Sequence, residues 1–164
     1  MKKILLAIVF TVFSAFLGLF VLPREVSTTR WVMSTQPEEV VWKEISDVSQ
    51  WNAWQPWATS STDSTIPWDD GTVKVTEINE KDKFISFEVN ASTDSDTTDK
   101  KGKLYIEKIP EGLWIRCQYS YTVAYNPIAR LQGWMKRGTL ALELDKGLLV
   151  LQEKITKNAE TQTP

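Results

Sequence analysis

The chain contains no histidine and only one cysteine, Cys117. Without histidine there is no Ser-His-Asp or Cys-His relay and no HExxH zinc site. A single cysteine excludes an intrachain disulfide and a thiolate zinc cluster. Oxygen ligands for Ca²⁺ or Mg²⁺ remain, but no EF-hand spacing is present, and no glycine-rich phosphate loop either. Neither a metal nor a cofactor is expected. Positive charge is also scarce. The 164 residues hold 19 Lys+Arg against 21 Asp+Glu. Outside Met1–Leu22, whose only charged side chains are Lys2 and Lys3, 142 residues carry 17 basic and 21 acidic groups, a net of −4. A negative domain lacks the basic footprint that nucleic acid demands. The length suits one domain, large enough to bury about two-thirds of its unfolded surface without staples.

What the chain does have begins with an apolar run. Ile4–Leu22 is 19 residues without a charge. As a helix it would reach about 28 Å, close to the hydrocarbon thickness of a bilayer. The run exceeds the apolar core of a signal peptide, about 7–15 residues. Good cleavage spacing is missing, since Phe13 precedes Ala15 and Phe16 precedes Gly18. The expectation is an uncleaved single-pass anchor in the cell (inner) membrane. Lys2 and Lys3 place its start in the cytoplasm and the domain outside it.

Beyond the run, Arg24–Met33 is rich in Val, Thr and Trp and predicts a strand. Thr35-Gln36-Pro37-Glu38 has capping-box spacing ahead of a short helix, Pro37 to Asp47. Val41, Ile45 and Val48 share its buried face. Strands follow at Gly71–Asn79 and Phe84–Ala91, with a turn signal at Asp69-Asp70-Gly71. Ser92–Lys101 reads as a polar loop. Gly102–Ile109 and Leu113–Tyr125 read as a hairpin. Alternation puts Leu113, Ile115, Cys117, Tyr119, Tyr121 and Val123 on the inner face, with Arg116 outside beside Glu107. A long helix runs from Ile128 to Lys157 after Asn126-Pro127. Ile128, Leu131, Met135, Leu142 and Leu149 mark its inner face, extended by Leu148, Leu151 and Ile155. The expected division is an anchor at 1–22, a domain at 23–158 and a frayed tail at 159–164.

Sheet and long helix must each bury an apolar face, which makes the class α+β. Within that order stand Leu22-Pro23, Thr35-Gln36-Pro37-Glu38-Glu39-Val40-Val41-Trp42, Ile45-Ser46-Asp47, Trp51, Trp54, Pro56 and Trp57, and near the C-terminus Asn126-Pro127-Ile128-Ala129-Arg130 and Gly147-Leu148-Leu149-Val150-Leu151. With these residues the order resembles the helix-grip (SRPBCC) superfamily of START and birch-pollen-allergen-like proteins, and most of all the membrane-anchored polyketide cyclase/dehydratase-like proteins of bacteria. The resemblance implies a curved antiparallel sheet gripping a long C-terminal helix, with a cavity between them that takes apolar molecules. Relatives carry a longer glycine-rich stretch where Trp57 and Trp68 here stand eleven residues apart, which implies a smaller cavity.

Eight tryptophans are present, and Trp51, Trp54, Trp57 and Trp68 cluster within eighteen positions. They line the mouth of an apolar pocket, or they cap the core where helix meets sheet. Tyr119 and Tyr121 either orient a ligand through their hydroxyls or close the core edge. Leu131, Met135 and Leu142 complete the candidate pocket from the helix. Asp47 and Glu88 are the acids nearest that pocket, and nothing pairs them for acid/base work. The functional expectation is a membrane-tethered, non-catalytic domain for a small apolar molecule or lipid. A cyclase/dehydratase-type enzyme and a ligand-free interaction module remain open, and the sequence names no protein partner.

Overall fold

The computed structural model describes residues 2–57, 66–68, 71–91 and 97–161. Helix α1 spans Lys2–Gly18, followed by a 3-10 turn at Leu19–Val21. Strand β1 (Glu25–Ser34) leads into helix α2 (Glu38–Ser46) and a second 3-10 turn, Val48–Ala53. Strands β2 (Pro67–Trp68), β3 (Gly71–Asn79), β4 (Phe84–Ala91), β5 (Thr97–Ile109) and β6 (Gly112–Val123) follow, and helix α3 (Pro127–Thr161) ends the chain.

The six strands form one antiparallel sheet in the order β1-β6-β5-β4-β3-β2. Register shifts between Val75 and Glu77 and between Thr98 and Lys101 interrupt the ladders. Such irregularities bend a strand and raise its twist, which lets the sheet curl into a half-barrel. α3 lies across the concave side. The predicted alternation holds on β6, where Leu113, Ile115, Cys117, Tyr119, Tyr121 and Val123 are all buried. Arg116 points the other way and pairs with Glu107 at 2.8 Å. Gly102 lies opposite Phe87 on this inner face, and a Cβ there would meet the Phe87 ring at 2.0 Å. Its missing side chain is what seats the ring.

Several expectations change. The apolar run does not form one spanning helix. The α-helix stops at Gly18 after 17 residues, about 26 Å long at 1.5 Å per residue, where a span needs about 20 residues. Arg130 takes the end of the run instead, its Nη1 donating to the carbonyl oxygens of Phe20 and of Leu22, the latter at 2.9 Å. No helix among the described residues is long and apolar enough to cross a membrane. That overturns the single-pass anchor and the inner-membrane, extracytoplasmic placement that depended on it.

The capping box is also absent. Pro37 holds the N-cap position of α2 without a side-chain cap bond, and the first turn is closed by backbone bonds to the Pro37 carbonyl. β5 starts at Thr97, so the expected loop becomes strand over its second half; 92–96 lie outside the described residues, as do Asp69 and Asp70 of the expected turn. The expected tail is helical through Thr161.

The largest correction concerns α3. Ile128, Leu131, Met135, Leu142 and Leu149 were expected against the sheet and are exposed. The buried face is Leu140, Leu144, Leu148, Leu151 and Ile155. The helix is apolar on two sides, so helical periodicity alone does not choose between them. Polar ties on both flanks set its rotation. Arg30 pairs with Asp145 at 3.2 Å on the β1 side. On the α2 side Lys154 pairs with Glu44 and donates to the Gln50 side chain at 3.0 Å.

Candidate functional site

The tryptophan cluster is built by a short irregular segment pressed against the sheet. Asp47 ends α2 and caps the following 3-10 turn, accepting from the Ser49 amide at 3.2 Å. That turn carries Trp51 inward. Its Nε1 donates to the Ile45 carbonyl at 2.8 Å, satisfying an oxygen that the end of α2 leaves unpaired. Trp54 and Gln55 follow, both buried. Trp57 is half-buried and donates from Nε1 to Glu143 of α3 at 2.8 Å.

Trp68, on the two-residue strand β2, is the centre of the cluster. Its ring lies 4.7 Å from Phe87, 4.8 Å from Trp57 and 6.1 Å from each of Trp51 and Tyr119. Trp54 meets it edge-on at 6.5 Å and stands 5.7 Å from Trp51. These are ordinary aromatic packing distances with tilted or T-shaped geometry. Tyr119 continues the row to Tyr121 at 6.2 Å, and the Tyr121 hydroxyl donates to the Gly133 carbonyl of α3 at 2.8 Å.

The structure therefore brings together Trp51, Trp54, Trp57, Trp68, Tyr119 and Tyr121. It separates them from Leu131, Met135 and Leu142, which stand on the opposite side of α3. Two neighbours went unseen in the sequence. Phe87 joins because β4 pairs with β5 across Gly102, a long-range register. Gln55 joins because the turn buries it between Trp54 and Pro56; an amide flanked by apolar rings in sequence was the available signal.

The polar groups of the cluster are unevenly satisfied. Trp51 and Trp57 have acceptors. The indole nitrogens of Trp54 and Trp68 and the side-chain oxygen of Gln55 are buried and have no partner among the described residues. Gln55 uses its amide nitrogen on the Asn52 side chain at 3.0 Å, which leaves the oxygen as the free end. Two donors and one acceptor are thus buried without a partner among the described residues in an otherwise apolar cluster. Burial pushes the Cys117 thiol up to about 12, so near neutral pH it is an inert core atom and not a nucleophile. Asp47 is occupied with capping and Glu88 lies on the outer face of β4, cross-strand from Lys74 and Lys101. Neither reaches the cluster.

No protein-family model and no curated protein matches the chain. Solved structures do. The ZhuI aromatase/cyclase from Streptomyces sp. R1128 superposes with a TM-score of 0.59 at 8% identity, covering 82% of this chain and 96% of that one. A protein of Thermus thermophilus gives 0.57 at 15%, covering 82% and 99%. XoxI from Bacillus cereus gives 0.54 at 16%, covering 84% and 99%. At such identities the likeness is one of fold: a curled antiparallel half-barrel sheet packed on a long C-terminal helix, as in helix-grip proteins.

Proposed function

We propose that this domain binds a small, largely apolar molecule or lipid that carries a hydrogen-bond acceptor, and releases it unchanged. The observation that carries the reading is the set of unpartnered groups on Trp54, Trp68 and Gln55. A buried polar group left without a partner costs about 1–3 kcal/mol. A ligand oxygen accepting from either indole N–H would offset that cost, and the surrounding rings would cover its apolar body. Trp57, the least buried of the four tryptophans, marks the entry side. Binding rather than turnover fits the chemistry of these groups, since an indole N–H and a carboxamide exchange no protons near neutral pH. The fold likeness to a polyketide aromatase/cyclase supports a helix-grip scaffold for such a ligand and assigns no reaction.

A second reading, a ligand-free interaction module, is favoured by the dense packing around Trp68. Two probes of the same shape separate the readings. 2-Acetylnaphthalene offers a carbonyl and 2-ethylnaphthalene does not. Titrated against the folded protein, the ketone should quench indole fluorescence saturably and bind more tightly than the hydrocarbon. Trp54→Phe and Trp68→Phe each keep a ring and remove one N–H, so each should reduce that preference and the pair together should erase it. Absence of saturable binding by either probe in the micromolar range overturns the proposal in favour of the module.

A further inference from the structure

The outward side of α3 bears a feature that the core does not use. Ile128, Met135, Leu142 and Leu149 are 61%, 64%, 62% and 52% exposed. They recur every seven residues. A seven-residue step falls about 20° short of two helical turns, so the four side chains stay nearly in line for about 32 Å. Leu131 and Trp134, at 36% and 55% exposure, widen the line at its N-terminal half. The line stands opposite the buried face of Leu144, Leu148 and Leu151, so no part of the sheet can cover it.

Helices mesh through two apolar positions per heptad; this line supplies one of them throughout, and the other carries Leu131 and then Gly138. Gly138 points the same way. It borders the line midway between Met135 and Leu142, and a Cβ there would meet nothing within 4 Å. Glycine inside a helix costs about 1 kcal/mol relative to alanine. The other two glycines of α3 are accounted for by intrachain packing, Gly133 against Val123 and Gly147 against Pro56. Gly138 has no such packing among the described residues, and a glycine at this point lets a second backbone come close.

We propose that this face seats a second copy of the chain, α3 against α3, antiparallel about a two-fold axis beside Gly138 and Thr139. In that register Ile128 meets Leu149 and Met135 meets Leu142. A two-fold contact uses the same patch twice, and an evenly spaced line is its own complement when reversed. A large apolar side chain presents on the order of 200 Å². The six exposures then amount to on the order of 600 Å² per protomer, against about 800 Å² on each side of a standard stable interface. The contact is therefore of the reversible kind. Lys146, beside the line, can lay its stem along the seam with the ammonium at the rim.

Sedimentation velocity of the full chain, from about 1 to 100 µM, should show a monomer–dimer equilibrium. Leu142→Asp lies at an exposed position and should keep the fold, checked by circular dichroism. It should weaken the dimer about tenfold or more. Ile8→Asp, on the exposed side of α1, should leave it unchanged. Thr139→Cys, close to the axis, should form a disulfide-linked dimer under mild oxidation, with buried Cys117 as a silent background. Leu149→Cys, far from the axis, should not link to itself. A monomer throughout, or a dimer indifferent to Leu142→Asp, overturns the proposal. So does loss of the dimer with Ile8→Asp, which would place the contact on α1, or self-linking of Leu149→Cys, which requires a parallel pair.

Discussion

The two sides of α3 have similar side chains and opposite fates. Leu140, Leu144, Leu148, Leu151 and Ile155 are almost wholly enclosed, while Ile128, Met135, Leu142 and Leu149 stand in solvent. Hydrophobicity does not separate them. What does is the ground each side can approach. On the inner side Gly133 admits the Val123 side chain and Gly147 admits Pro56, so the helix axis comes down onto the sheet and the tryptophan segment. The Arg30–Asp145 pair on one flank and the Trp57–Glu143 bond on the other then hold the helix at that rotation. A helix finds its core face through close approach and edge contacts as much as through its apolar stripe.

The strongest way to break this comparison is Leu148→Ala. Truncating an enclosed leucine costs about 2–5 kcal/mol, transfer and cavity together. Against a typical total of about 5–15 kcal/mol, the denaturant midpoint should fall sharply. An unchanged midpoint would mean that a different side of the helix faces the sheet.

The glycines give the next contrast. At Gly133 a Cβ would lie 2.4 Å from Val123 Cγ1. Overpacking of this kind costs about 1–3 kcal/mol, and alanine's better helix propensity returns up to about 1 kcal/mol. Gly133→Ala should therefore lower stability, read as a drop in melting temperature. Gly138→Ala meets open space and should raise it by up to about 1 kcal/mol in dilute, monomeric protein. Equal shifts at the two positions would remove the distinction between the sides.

The smallest effect is expected from Leu142→Ala. Under the same dilute conditions its midpoint should stay within about 0.5 kcal/mol of the parent, as at other exposed positions. A loss as large as that of Leu148→Ala would place Leu142 in the core after all.

Local pattern made much of the fold legible. The alternation on β6 picked out the inner face, including Tyr119 and Tyr121, because the side-chain period of a strand is two and one side was continuously apolar. Crowding of Trp51, Trp54, Trp57 and Trp68 within eighteen positions marked where aromatic rings gather in the core. The rest depended on register and reach. Phe87 enters the cluster only because β4 pairs with β5 at Gly102. Gln55 is buried only because the turn after α2 folds beneath α3. The N-terminal run looked long enough to span a bilayer, but Arg130, more than a hundred residues away, holds its last carbonyl groups at the domain.

By itself, then, the sequence determined the chemistry this protein lacks, the α+β order of its elements, the inner face of its last strand and the aromatic character of its core. Those follow from residue types and short-range periods. Tertiary structure alone decided which side of α3 is buried, which indole nitrogens find acceptors and what holds the carbonyl groups of Phe20 and Leu22. Each of those depends on a contact between residues far apart in the chain, and no local period encodes such a contact.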